Sequence, residues 1–329
     1  MYECAPKRRI DMSKIVNFIK NISPFNNRTE MPKILYIIKV ILIFFLFKFG
    51  GEIVAEGIVL AVHFACGKNP LAGEMFDANT ILIITYLGYS IVIGVIVLLW
   101  KLLQKKTLQD LGFTKRFGSY FTGIAIGTGL LALCVIPVVL TGTITFNGVF
   151  GNINIGIILV MIVCFMLQGA MEEVLCRGVV QQLLIRKTSA PVAAGVSTIL
   201  FTVLHLNNMT GAGPAITAVA IINLVLISLI FSLLTLRFKS IWAACGMHSF
   251  WNYILFNIMG LNLSGNDEVA TAVFDMRSVG NNILNGGIYG IEASIITTGV
   301  LAAALVLCVL ASRKELLPAG RSHQVLGEA

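Results

Sequence analysis

The chain has 329 residues, 57% of them hydrophobic and only 12% charged, with a formal net charge of +8. A soluble globular domain carries about 25% charged residues, so the composition excludes an ordinary soluble fold and indicates an integral membrane protein. The positive balance would suit nucleic acid, but its distribution along the chain suits orientation in a membrane instead, and no nucleic-acid partner is expected.

Residues 1–33 hold seven basic residues. Among them Ile15, Phe18, Ile19 and Ile22 recur at helical spacing, which predicts a short helix lying on the membrane surface. A cleaved signal peptide is not expected, because the first strong apolar run begins only near Ile34 and no small-residue cleavage pattern follows it. Eight apolar spans follow, at about 34–66, 79–103, 118–142, 154–180, 190–206, 214–236, 241–259 and 289–311. The first is long for one straight crossing, and Lys39, Lys48, Gly50-Gly51, Glu52 and Glu56 all fall inside it. The alternation of an outer-membrane barrel is absent. The predicted fold is therefore all-α, a polytopic transmembrane bundle of about eight spans.

Charge sets the expected orientation. With the N-terminus inside, the inner segments hold Lys101, Lys105, Lys106, Lys115, Arg116, Arg186, Lys187, Arg237, Lys239, Arg313, Lys314 and Arg321, whereas the outer loops hold only Lys68 and Arg277. The positive-inside rule then makes both termini cytoplasmic. The expected division is a basic segment at 1–33, a membrane domain at 34–311 and a polar tail at 312–329. Residues 260–288 form a long outer loop rich in Gly and Asn, long enough to act as a cover. The seven cysteines show no C-x-x-C spacing and carry no redox or zinc-finger signal. Gly123 and Gly127, four apart in one span, have the spacing that lets helices approach closely.

The informative feature is charge where lipid should be. Glu172, Glu173 and Arg177 lie within one apolar stretch, and each charge at a helix centre opposes insertion by about 2.5–3.5 kcal/mol. His205 and His248 lie in later spans. The hairpin turn between the fourth and fifth spans centres between Thr188 and Ser189, 16.5 positions from both Glu172 and His205. A rise of about 1.5 Å per residue brings the two side chains to the same depth. His248 and Asn252 are four apart on one face, and Asn252 falls within roughly a turn of Glu172 in depth. Glu173 and Arg177 are spaced for an internal ion pair, which leaves Glu172 free for chemistry. Glu172 is then a general base for a water that His205 orients, and His248 and Asn252 are donors to an oxyanion. The set Glu172, His205 and His248 also suits zinc with an open position for water, and spacing does not separate the two readings.

Three motifs carry a resemblance: Glu172-Glu173-Val-Leu-Cys-Arg177, Phe201-Thr-Val-Leu-His205 and His248-Ser-Phe-Trp-Asn252. In this order, each inside an apolar span, they resemble the CPBP family of intramembrane proteases, also called the type II CAAX prenyl endopeptidase or Abi family. The similar region covers about residues 150–260. The resemblance implies a membrane endopeptidase in which Glu172 and His205 activate water, His248 and Asn252 stabilise the oxyanion, and Glu173, Arg177 and Phe201 support the site. It leaves both a zinc mechanism and a metal-independent glutamate mechanism open. It implies as partners membrane lipids and a peptide or lipidated-protein substrate, prenylated or bacteriocin-like, and the expected location is a bacterial cell membrane, crossed several times.

Two other classes compete. A proton-coupled transporter would use buried Glu and His as a relay, but expects broken midplane helices and an inverted repeat. A non-catalytic immunity protein would bind a peptide toxin without cleaving it. Glu292 is expected to serve as an acid at the N-terminus of the last span, and Asn223 to hydrogen-bond between helices.

Overall fold

The computed structural model describes residues 12–23, 31–151, 153–265 and 271–316. Parts of the expected N-terminal segment, the outer loop and the polar tail lie outside these residues. A surface helix does form where the spacing predicts one, α1 (Met12–Ile22), with Phe18 and Ile19 exposed. The membrane helices then run α2 (Lys33–Ala65), α3 (Ala78–Leu99) and α4 (Ser119–Leu140). A strand, β1 (Ile144–Val149), precedes α5 (Ile155–Glu173), which continues through a π-helical stretch, Val174–Gln181, into α6 (Gln182–Ile185). After a turn come α7 (Ala190–Leu204), α8 (Pro214–Phe238) and α9 (Trp242–Tyr253). A second strand, β2 (Phe274–Ser278), leads to α10 (Ile295–Ala311) and a final turn, α11 (Arg313–Leu316).

Eight of these helices coincide with the eight expected spans. Five helical segments, Lys33–Ala65, Asn79–Gln104, Ser119–Leu140, Ile155–Ile185 and Pro214–Phe238, are long and apolar enough to cross a membrane, while Ala190–Leu204 and Ile295–Ala311 are shorter apolar helices. The chain is a polytopic helical membrane protein.

The glycine pair in the first span does not break it. α2 is continuous, Lys48 pairs with Glu52 at 2.6 Å one turn on, and Gly51 lets the helix lie against Val92 of α3. Local signals set several ends. Asp77 caps α3 by accepting from Thr80 N, Asn154 caps α5 by accepting from Ile157 N, and Pro214 opens α8 after Gly213 at positive φ.

The outer loop is not featureless. β2 pairs antiparallel with β1, Phe146 opposite Met276 and Val149 opposite Phe274. Gly287–Tyr289 and Ile291–Ala293 form single 3-10 turns, and α10 starts only after Ser294, whose hydroxyl caps Ile296 N.

α9 is the central helix. It packs against α4, α5 and α8, and every residue from Ala243 to Ser249 is buried. Small residues permit this. A Cβ on Gly123 would strike the Ala243 carbonyl oxygen, one on Gly246 the Tyr120 carbonyl oxygen, and one on Gly169 of α5 would lie 2.6 Å from the Ser249 hydroxyl. The packing expected of Gly123 and Gly127 is therefore backbone-to-backbone contact with α9.

Candidate active site

Glu172 lies in the last turn of α5, just before the π-helical stretch, a kind of distortion that often marks functional sites. Its Oε1 accepts from Gln168 Nε2 at 2.6 Å, one turn earlier. Its Oε2 is buried and has no hydrogen-bond partner among the described residues. That oxygen lies 3.7 Å from His205 Nε2 and 4.0 Å from His248 Nε2. Both gaps exceed a direct hydrogen bond and suit a shared water.

His205 caps the C-terminus of α7, and its Nδ1 lies 2.9 Å from the Phe201 carbonyl oxygen. A carbonyl only accepts, so Nδ1 carries a proton, and Nε2 is the ring nitrogen that faces Glu172. The Phe201 ring lies beside the imidazole at 4.6 Å between centroids.

His248 is held from behind. Its Nδ1 lies 3.0 Å from Glu173 Oε1, and its ring stacks on Phe231 at 5.0 Å. The same Glu173 oxygen accepts from Arg177 Nη1 at 3.1 Å. Arg177 is fully buried, donates through Nη2 to the carbonyl and hydroxyl of Ser228, and lies against the rings of both Phe201 and Phe231. Two cationic or hydrogen-bonding partners thus converge on one buried carboxylate, which burial of Glu173 requires. Glu173 does not line the cavity; its place is behind His248. Asn252, one turn after His248, donates through Nδ2 to Gln168 Oε1 at 2.9 Å, leaving its second amide proton available.

These groups line one wall of a cavity of about 430 Å³. Leu224, Ile227 and Leu301 supply an apolar side, and Tyr86 and Tyr89 of α3 another. The structure thus gathers Glu172, His205, His248 and Asn252 at one polar end, with Glu173, Arg177 and Phe201 supporting them. Sequence reasoning missed Gln168, although its position four before Glu172 places it on the same face.

Glu292 departs from expectation. Ser264 donates to its Oε2 through backbone N–H and hydroxyl at 2.6 and 2.7 Å, and Trp251 Nε1 donates to Oε1 at 3.3 Å. The carboxylate lines the cavity and ties the loop after α9 to that helix; Ser294, two residues on, is the cap of α10. Asn223 does bond across helices, donating to the carbonyl oxygens of Glu292 and Ser294 at 2.8 and 3.0 Å.

Zinc ligands at about 2.1 Å in a tetrahedron leave ligand atoms about 3.4 Å apart. The Glu172 oxygen is farther than that from both imidazoles, and among the described residues no group of three His, Cys, Asp or Glu is disposed to hold a metal ion. As placed, the residues do not fit a tetrahedral zinc.

A family model described as Type II CAAX prenyl endopeptidase Rce1-like matches residues 154–254. Over these residues, about a third of its length, the chain is similar to that family. The Rce1-like segment runs from the cap of α5 to the end of α9 and contains Glu172, Glu173, Arg177, Phe201, His205, His248 and Asn252. Tyr86, Tyr89 and Glu292 of the cavity wall lie outside it. Neither the curated proteins nor the solved structures compared with the chain match it. The matched description is that of an endopeptidase, which supports a peptidase reading for this polytopic membrane protein in general.

Proposed function

We propose that this protein hydrolyses a peptide bond in a membrane-associated peptide or protein with water activated by Glu172 and His205. The supporting observation is the unpartnered Oε2 of Glu172, facing the ring nitrogens of two histidines from two other helices. A water in that gap donates one proton toward Glu172 and the other toward the His205 Nε2 lone pair, which aims its own lone pair at a carbonyl entering the cavity. The oxygen adds to the carbonyl carbon as Glu172 takes the proton. The developing oxyanion accepts from Asn252 and from the Nε2–H of a protonated His248, whose charge Glu173 compensates. The C–N bond then breaks and Glu172 returns its proton to the amine, so a carboxylic acid and an amine leave.

The aromatic and aliphatic walls favour a substrate that arrives from lipid, such as a prenylated or bacteriocin-like peptide cut near its C-terminus. The glutamate mechanism is the reading that the 3.7 and 4.0 Å gaps favour over a zinc-bound water.

The test is cleavage of a panel of prenylated and unmodified membrane peptides by purified protein in lipid. Glu172→Gln is expected to lower kcat by about 10²–10⁴-fold with the thermal midpoint unchanged, and a chelator to leave the native rate intact. Retained turnover by Glu172→Gln would refute the assigned base. Loss of turnover on chelation, restored by zinc, would refute the metal-free route. A native protein that binds these peptides without cutting them would favour the non-catalytic alternative.

A further inference from the structure

At one end of the bundle, lined by none of the residues of the Glu172 cavity, three chain segments bring cations to a single recess. Tyr36 and Lys39 come from the first turns of α2, Gln104 and Lys106 from the end of the helical run that follows α3, and Leu183 and Arg186 from the end of α6. The recess holds about 60 Å³, several times what one water needs by this measure. Its floor is built: Lys39 and Gln104 are buried, and the Tyr36 hydroxyl donates to the Leu183 carbonyl oxygen at 2.9 Å. Lys187 adds a fourth cation beside the rim, 5.8 Å from the Tyr36 ring centroid.

Among the described residues, Asp110 is the carboxylate that pairs with the arginine of this cluster, taking Arg186 Nη2 at 2.6 Å. Its other oxygen is already held by the backbone N–H and hydroxyl of Thr107. The Nε–H of Arg186 is buried with no hydrogen-bond partner among the described residues. Lys106 is half-buried, and burial together with the Arg186 charge lowers its pKa despite the nearby Asp110. Half-buried cations with an unmet donor at the level where helices leave the bilayer call for an anion with several acceptor oxygens.

We infer that this recess binds a phosphate group, with Lys106 and Arg186 as its principal contacts and Lys39 beneath. Anionic lipid headgroups and free phosphate share that chemistry. The position at the helix ends gives a lipid direct access, its chains lying along the exposed face of α2, where Ile38 and Leu42 face outward.

The experiment is titration of purified full-length protein with dioleoyl phosphatidylglycerol, dioleoyl phosphatidylcholine and inorganic phosphate, read by native mass spectrometry and by the thermal midpoint. Phosphatidylglycerol is expected to bind at least about fivefold more tightly than phosphatidylcholine, and Lys106→Gln to weaken it about fivefold, the value of one interfacial cation. Lys101→Gln, an exposed neighbour off the recess, is expected to leave binding unchanged. Should Lys106→Gln fail to insert, Arg186→Lys keeps the charge, removes Nε and reads the same contact. Binding of inorganic phosphate alone, lost in Lys106→Gln, would assign the recess to a soluble anion. Equal retention of both lipids with no phosphate binding, or binding untouched by both variants, would overturn the site.

Discussion

Asn252 reaches Glu172 only through Gln168, whose side-chain oxygen accepts from Asn252 while its amide donates to the glutamate. A carboxylate cannot donate, so this chain of bonds fixes which way the glutamine amide points. It also orients the proposed base and one proposed oxyanion donor from a single side chain on α5. Gln168→Leu is expected to lower kcat by up to about 10²-fold, the scale of a small misplacement, with little change in KM. A steady-state split in which KM rises and kcat holds would instead make Gln168 a substrate contact.

Glu173 and Glu172 are adjacent but should fail differently. Glu173 joins Arg177 and His248 in a fully buried cluster, so Glu173→Gln leaves the guanidinium uncompensated at a cost of about 3–5 kcal/mol. Glu172→Gln removes no buried ion pair to an arginine. Denaturant or thermal melts of the two variants in the same detergent check this. Equal midpoints would show that the Glu173 cluster is not what holds α5, α8 and α9 together.

Glu292 clamps the loop that follows α9. Glu292→Ala removes the acceptor for Ser264 and Trp251 and should cost about 1–3 kcal/mol. Limited proteolysis between residues 261 and 288 should accelerate, and KM should rise more than kcat falls. Unchanged cleavage kinetics of that loop would mean that β1–β2 pairing alone holds it.

Stability should also depend on pH through the clasp between Asp110 and Arg186. Burial opposes ionisation of Asp110, but the Thr107 hydroxyl and Arg186 outweigh it and hold the carboxyl below its usual range. The folded pKa is thus below the unfolded value of about 3.9. The contribution is complete above that value and disappears as pH falls through the folded pKa. Asp110→Asn is expected to melt lower than the native protein at pH 7 by the equivalent of about 1 kcal/mol, with the difference closing in strong acid. A constant difference down to pH 3 would contradict this assignment.

Hydropathy made the spans legible because lipid imposes continuous apolar runs. The stretch at 190–206 became α7 at Ala190–Leu204, and that at 214–236 became α8 at Pro214–Phe238. The expected approach of Glu172 and His205 is present at 3.7 Å, although the π-helical stretch interrupts the regular rise between Glu172 and the turn. The sequence was silent where geometry is made through space. β1 and β2 are short strands whose pairing joins residues more than 120 positions apart. The π-helical stretch after Glu173 keeps the apolar composition of an α-helix and leaves no compositional mark. Glu292 sits at the start of an apolar run, where an N-terminal acid is the natural reading, until the loop folds Ser264 back onto it. Gln168 was visible on the right face but carries no charge to draw notice among apolar neighbours.

The polar cluster draws on α5, α7 and α9, so it is complete only once α9 has been made. A nascent chain that has emerged as far as Ser240 already contains Glu172, Glu173, Arg177 and His205, yet His248 and Asn252 are still inside the ribosome or translocon. Glu173 and Arg177, one turn apart on the same helical run, can pair before α9 is present. The close approach at Gly123, Gly169 and Gly246 is what admits α9 to its place between α4 and α5, and with it the last residues of the cluster.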